Sequence, residues 1–304
     1  MDQLKWSATE YARNGDADLA FDRLDGSRGE PLLLVMGLGA SRLWWPDGLC
    51  EAFAREGFAV ARFDNRDSGE STRMPETPVG NPFRALFARS GSPYTAEDLA
   101  DDAAAVLDAL GWERAHVFGH SMGGTVAQRL ALRHPERVLS LTSSGAGPSD
   151  VAGLGVLRFM RFGLLARLAR MKFPEGREGD IAASMAVARG VASPGYPFDE
   201  AAVRKWVEAD VDTGPRDAKA QSRQIGAQWS GARLSELRRP TLVLHGEEDP
   251  ILRVSAAKAT AAAIAGARLV TFPGVGHDLP APLWPVVAEK VRANADRAAG
   301  DVPE

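Results

Sequence analysis

A single cysteine, Cys50, is all the thiol chemistry in the chain, so no internal disulfide is available to staple it. In the run Leu49-Cys50-Glu51-Ala52-Phe53 it reads as a small packing residue on a helix and not as a nucleophile, and its isolation points to a reducing, cytoplasmic setting. Long apolar runs are missing too. No stretch reaches the about 18 uncharged apolar residues that a membrane helix requires. The start, Met1-Asp2-Gln3-Leu4-Lys5-Trp6, lacks the basic and apolar regions of an export signal. The most lipophilic segment, 151–171, scatters Arg158, Arg161, Arg167 and Arg170 around a helix, which argues against a membrane-surface helix. Nor is there an excess of basic charge. Lys and Arg total 36 against 40 Asp and Glu, a formal charge of −4, which leaves no electrostatic footprint for nucleic acid. Scattered charge of both signs fits a monomer or a homodimer.

What is present is a core. Of the 304 residues, 45% are hydrophobic, enough for one large α/β domain with room for an insertion. Strand-like runs at Pro31–Met36, Phe58–Phe63, Ala115–Phe118, Val138–Leu141, Pro240–Leu244 and Arg268–Phe272 alternate with helix-like stretches at Cys50–Arg55, Ala96–Leu110, Thr125–Arg133 and Ala256–Ala265. That alternation predicts a mostly parallel, doubly wound sheet with both faces covered. Leu19–Leu24 adds an early antiparallel strand before an Asp25-Gly26 turn. Thr95 reads as the N-cap of the helix over 96–110 and Gly111 as its C′ residue, with Asp101, Asp102 and Asp108 on a solvated face. The alternation breaks from 147 to 237, too long a stretch for a bare loop, so the expected organisation is a core of 1–146 and 238–304 carrying a helical cap of 147–237.

The chemistry starts at Gly119-His120-Ser121-Met122-Gly123, a G-x-S-x-G sequence between an apolar strand and a helix-like stretch. A serine forced into such a turn holds its hydroxyl clear of the sheet. It is a poor nucleophile at neutral pH until a base takes its proton and a carboxylate fixes the base's tautomer. Of the five histidines, His116 and His245 lie in or at the end of strands, His134 ends a helix, and His120 is the variable position of the motif. His277 instead falls in Pro273-Gly274-Val275-Gly276-His277-Asp278, a turn just after the last strand. Asp249, in Gly246-Glu247-Glu248-Asp249-Pro250, follows the preceding strand; Glu247, Glu248 and Asp278 compete with it, and the Gly-x-x-Asp spacing favours Asp249. An oxyanion formed on attack needs two donors in place. The Met122 amide at the helix start and the Leu38 amide in Met36-Gly37-Leu38-Gly39 are the candidates.

With Leu34–Gly39, Trp45-Pro46-Asp47, the run Arg62–Thr72, the Ser121 turn, Pro197-Phe198-Asp199 and Gly274–His277, the chain resembles the α/β-hydrolase superfamily, and in detail the aclacinomycin methylesterase family of polyketide-tailoring esterases. Met36-Gly37, where many relatives carry His-Gly, and the Asp64–Thr72 run are closest to that branch. The resemblance implies the α/β-hydrolase fold with an inserted helical cap. It also implies a Ser121, His277 and Asp249 triad, no cofactor or metal, and hydrolysis of a small-molecule ester through an acyl-enzyme. A methyl ester of a polyketide-like or other small hydrophobic substrate is one option.

Gly37, Trp44, Trp45, His120 and, in the cap, Trp206 are candidate substrate-binding residues, aromatic packing being the equal alternative for the two neighbouring tryptophans. The charged turn Asp64–Thr72 reads as braced by its own hydrogen bonds and Gly69. Epoxide hydrolases and haloalkane dehalogenases attack with Asp where this chain has Ser121. Carbon–carbon bond hydrolysis, cofactor-free perhydrolase or haloperoxidase-like chemistry, and a non-enzymatic small-molecule binding module share the constellation and stay open at this stage.

Overall fold

In the computed structural model, residues 5–74, 92–214 and 217–299 are described. The short strands β1 (Lys5–Trp6) and β2 (Glu10–Asn14) both pair antiparallel with β3 (Ala17–Asp25). The strands β4 (Glu30–Val35), β5 (Phe58–Phe63), β6 (Ala115–His120), β7 (Val138–Ser144), β8 (Thr241–Gly246) and the partly exposed β9 (Arg268–Phe272) are all parallel. The order is β1-β3-β5-β4-β6-β7-β8-β9, with β3 antiparallel to β5 and β2 on the flank of β3. Chain order reverses around β4, so the loops leaving the carboxyl ends of β4 and β6 diverge and open a crevice.

Helix α1 (Asp47–Arg55) covers one face; α2 (Ala96–Ala109) and α3 (Met122–Arg133) cover the other. Beyond β7 come α4 (Leu154–Leu157), α5 (Gly163–Leu168), α6 (Arg177–Val191), α7 (Glu200–Asp212) and α8 (Ala218–Gly226), with no strand between β7 and β8 among the described residues. After β8, α9 (Val254–Ala263) runs into Ile264 of the core shared by α2 and α3, and α10 (Trp284–Ala299) lays Val287 and Val291 beside Leu49 and Phe53 of α1. The expected doubly wound α/β architecture is therefore observed. Cys50 is fully buried on α1, and burial pushes its thiol pKa far up, which leaves it inert.

Helix α2 begins in a capping box: the Asp98 amide donates to Thr95 Oγ1 at 3.2 Å and the Thr95 amide to Asp98 Oδ2 at 2.7 Å. It stops before Gly111, whose φ of 69° favours a residue without Cβ. One expectation here is corrected. Asp102 is not solvated; it is fully buried and takes two hydrogen bonds from the Arg66 guanidinium and one from Asn14. Asp101 and Asp108 do stay near solvent, paired with Arg133 and Arg137.

The turn from Asp64 to Thr72 is a brace. The Glu70 amide donates to Asp64 Oδ2 at 2.9 Å, the Met74 amide to Asp67 Oδ1 at 2.9 Å, and Gly69 leaves room for the Asp64 carboxylate. Partners also come from outside: Arg42, 2% exposed, bonds Asp64 and Asp22, and Arg62 shares Asp22. Burial raises the Asp64 carboxyl to about 6 against the pull of Arg42. Arg42→Met leaves the buried Asp64 carboxylate without its guanidinium partner and removes one bond from Asp22, which keeps Arg62, and breaking a buried pair on one side costs about 3–5 kcal/mol. A urea midpoint lowered by a corresponding amount is expected; an unchanged midpoint would show that the network adds nothing to stability.

Candidate active site

Strand β6 delivers its last residues to the crevice. Ser121 follows at φ 56° and ψ −124°, a region that L-residues avoid, and α3 starts at Met122. Such a conformation costs about 1–3 kcal/mol and persists only where the surroundings enforce it. Here the Ser121 amide donates to the Ser144 carbonyl at 2.8 Å and the Gly124 amide to the Ser121 carbonyl at 2.9 Å. Glycine is required on both sides: a Cβ at Gly119 would overlap the Gly123 carbonyl, and one at Gly123 the carbonyls of Val35 and Met36. Gly123→Ala is therefore expected to cost about 1–3 kcal/mol by overpacking and to displace Ser121. A thermal melt and the rate of serine phosphonylation read the two effects separately.

The turn after β9 carries His277 and the turn after β8 carries Asp249. His277 Nε2 lies 2.9 Å from Ser121 Oγ, and its Nδ1 lies 2.6 Å from Asp249 Oδ2. The other carboxylate oxygen, Asp249 Oδ1, accepts the Ile251 and Leu252 amides at 2.7 and 2.8 Å. Burial works to raise the Asp249 pKa, but His277, with the Leu252 amide and His245, outweighs it and holds the carboxyl below its usual range. The rival acids are engaged elsewhere: Glu247 accepts from Thr271, Glu248 is exposed, and Asp278 accepts from Ser193. The loop Met36–Gly39 runs beside the serine, where a Cβ on Gly37 would come within 3.0 Å of Ser121 Cβ and 3.6 Å of its Oγ. Met122 is the first residue of α3, where amides have no acceptor within the helix.

A family model described as the alpha/beta hydrolase fold matches residues 30–280. The chain belongs to this family. It is 32% identical to rhodomycin D methylesterase DauP of Streptomyces sp. (strain C5), over 88% of this chain and 91% of that protein. To rhodomycin D methylesterase DnrP of Streptomyces peucetius it is 31% identical, over 95% of this chain and 99% of the relative. Among solved structures, a hydrolase from Pseudomonas aeruginosa PA01 aligns with a TM-score of 0.68 and 25% identity, over 97% of this chain and 99% of that one.

The remaining candidates of this α/β-hydrolase separate by position. His120 packs its ring 5.1 Å from that of His277, with Nδ1 3.2 Å from Ser144 Oγ; burial and the neighbouring imidazole push its pKa down to about 3, so it is neutral. Trp45 lies in the core: it is 1% exposed, its ring 5.4 Å from Phe118 and 6.4 Å from His120, in one apolar cluster with Leu49, Cys50 and Phe53 of α1. Trp44 is partly buried and packs against both that core and the cluster of Ile181, Met185, Val207 and Val211 on α6 and α7. Trp206 is half-buried on α7 beside this cluster and not within it. His116 bonds Ser140 within the sheet, with its pKa lowered to about 4 mainly by burial.

Residues that sequence reasoning missed tie the helices between β7 and β8 to the site loops. The His277 amide donates to the Val191 carbonyl at 2.9 Å, and Ser193 Oγ accepts the Gly276 amide at 2.9 Å. The Arg161 amide donates to the Ile251 carbonyl and the Arg253 amide to the Phe159 carbonyl, both at 2.7 Å, across the loop that carries Asp249. On the other side, the Gly39 amide donates to Gln224 Oε1 at 2.9 Å and the Ser41 amide to Asp210 Oδ1 at 3.0 Å. Polar residues so far apart in sequence carry no periodic signal, so nothing in the chain announced these contacts. No group of three or more His, Cys, Asp and Glu side chains that could hold a metal occurs among the described residues, and no described helix is long and apolar enough to cross a membrane.

Proposed function

We propose that the protein is a serine ester hydrolase working through an acyl-enzyme. The observation that carries this reading is the continuous relay of 2.9 Å from Ser121 Oγ to His277 Nε2 and 2.6 Å from His277 Nδ1 to Asp249 Oδ2. In the mechanism, His277 takes the Ser121 proton as the hydroxyl attacks the ester carbonyl, and Asp249 stabilises the imidazolium. The Leu38 and Met122 amides hold the oxyanion. His277 then protonates the departing alcohol and activates water, which releases the acid and restores Ser121.

The segment 147–237 is read as a cap over a core of 1–146 and 238–304, with Trp44 and the α6–α7 cluster forming part of the apolar contact between them. The two rhodomycin D methylesterases support a methyl ester of a polyketide-like or other small hydrophobic acid as substrate. Specificity resides in the cap, so this step rests on similarity alone.

Intact mass after treatment with a reactive organophosphonate tests the chemistry. One adduct per chain, absent from Ser121→Ala, is expected, followed by turnover of methyl esters in a panel that includes aryl esters and lactones. A folded wild-type protein that takes no adduct would overturn the reading.

A further inference from the structure

We propose that Gln224 is a positioning residue that sets the oxyanion donor of Leu38, so that the cap completes the catalytic site as well as roofing it. The proposal rests on the serine-hydrolase reading. Gln224 is 3% exposed on α8, and among the described residues its side-chain amide bonds the loops that follow β4 and β5. Oε1 accepts the Gly39 amide at 2.9 Å, while Nε2 donates to the Arg66 carbonyl at 2.8 Å and to Ser68 Oγ at 2.9 Å. A flipped amide would set Nε2 against the Gly39 N–H and Oε1 against a carbonyl, so one orientation is enforced.

The Leu38 amide lies between two anchored peptide groups. On one side the Met36 carbonyl accepts from Asn65 Nδ2 at 3.0 Å; on the other the Gly39 amide is held by Gln224. Leu38 is 36% exposed, so packing alone holds the loop only in part. Gly39 has a φ of 63°, a conformation that glycine adopts freely, and Gln224 holds its amide there. The helix bearing Gln224 is itself fastened: Arg223, 2% exposed, forks onto Asp67 with bonds of 2.9 and 2.6 Å, and Tyr94 OH donates to the same carboxylate at 2.8 Å. A donor must already be in place when negative charge develops, and losing one outright costs about 10²–10³ in rate. A donor left on a loose loop costs less.

The test compares wild type with Gln224→Met, close in volume but without these hydrogen bonds, and with Gln224→Glu, which keeps an acceptor opposite the Gly39 N–H. Each is assayed on a p-nitrophenyl ester and on its thionoester, in which sulfur replaces the carbonyl oxygen and fits the oxyanion donors poorly. Gln224→Met is expected to lower kcat on the ester about 10–100-fold, a fraction of a full donor loss, with KM within about 3-fold. The ester-to-thionoester rate ratio should fall about 10-fold, and Gln224→Glu should recover part of the loss. Equal losses on both substrates, a loss confined to KM, or wild-type kcat in Gln224→Met would overturn the proposal. Phosphonate stoichiometry separates the two levels: a wild type with no Ser121 adduct sinks the serine-hydrolase reading and this proposal with it, whereas full labelling with an unchanged rate ratio sinks the role of Gln224 alone.

Discussion

Alanine at position 121, or at position 277, is expected to lower kcat for ester hydrolysis by about 10⁴-fold or more, the scale on which removal of a triad nucleophile or base acts elsewhere. KM should change little, because neither side chain has a role in binding apart from chemistry in this mechanism. The double variant should be scarcely worse than either single one, since the two act as a unit. Stability gives an independent check. The strained φ of 56° at Ser121 is imposed by its neighbours, so Ser121→Ala keeps the same backbone, and its melting temperature should stay near that of wild type. Near-normal turnover in either variant would remove that residue from the mechanism.

The second large effect is at the acid, and the geometry dictates its sign. In Asp249→Asn, the position of Oδ1 must remain an oxygen, because it accepts the Ile251 and Leu252 amides at 2.7 and 2.8 Å. The new NH2 group therefore faces His277 Nδ1, which lies 2.6 Å from Oδ2 in the native site, and turns that nitrogen into an acceptor. The ring proton is driven to Nε2, which then donates toward Ser121 Oγ and has no lone pair to accept the serine proton. A drop of about 10⁴ in kcat is expected from the wrong tautomer alone. Glu248→Gln, at an exposed neighbour, should leave kcat unchanged. If the glutamine variant were the more damaged, the acid would have to be reassigned.

Much of the architecture was legible because buried parallel strands are short, continuously apolar runs. Apolar stretches within β4 to β9 stand out, although β7 ends in serines and β9 is only partly buried, and the serine turn, acid turn and histidine turn follow three of these strands in a recognisable order. Strand β2 did not stand out: Glu10-Tyr11-Ala12-Arg13-Asn14 buries only Ala12, so it carries almost no apolar pattern. Helix α10 was obscured by Pro285 in its first turn and by charges along its outer side. Asp102 was misread because an acidic residue on a helix looks solvated until its partner, Arg66, is known to reach it from another loop. For Trp45 the choice between pocket wall and packing stayed open, because proximity in sequence to a site loop says nothing about the direction of a side chain. The three residues singled out as nucleophile, base and acid meet at hydrogen-bonding distance, while Gln224, Asp210 and Ser193 left no trace in the sequence pattern.

The helical segment between β7 and β8 holds the loops of His277, Asp249 and Leu38, whereas Ser121 is fastened to the sheet through the Ser144 carbonyl. Anyone grafting a foreign segment onto this sheet to obtain a new specificity would inherit an intact serine and lose the fixtures around it. Such a chimera is expected to keep the Ser121 turn and to lose the hydrogen bonds that hold the neighbouring loops, until the backbone pairings at 159–161 and 191 and the side chains of Ser193, Asp210 and Gln224 are transplanted along with the new segment.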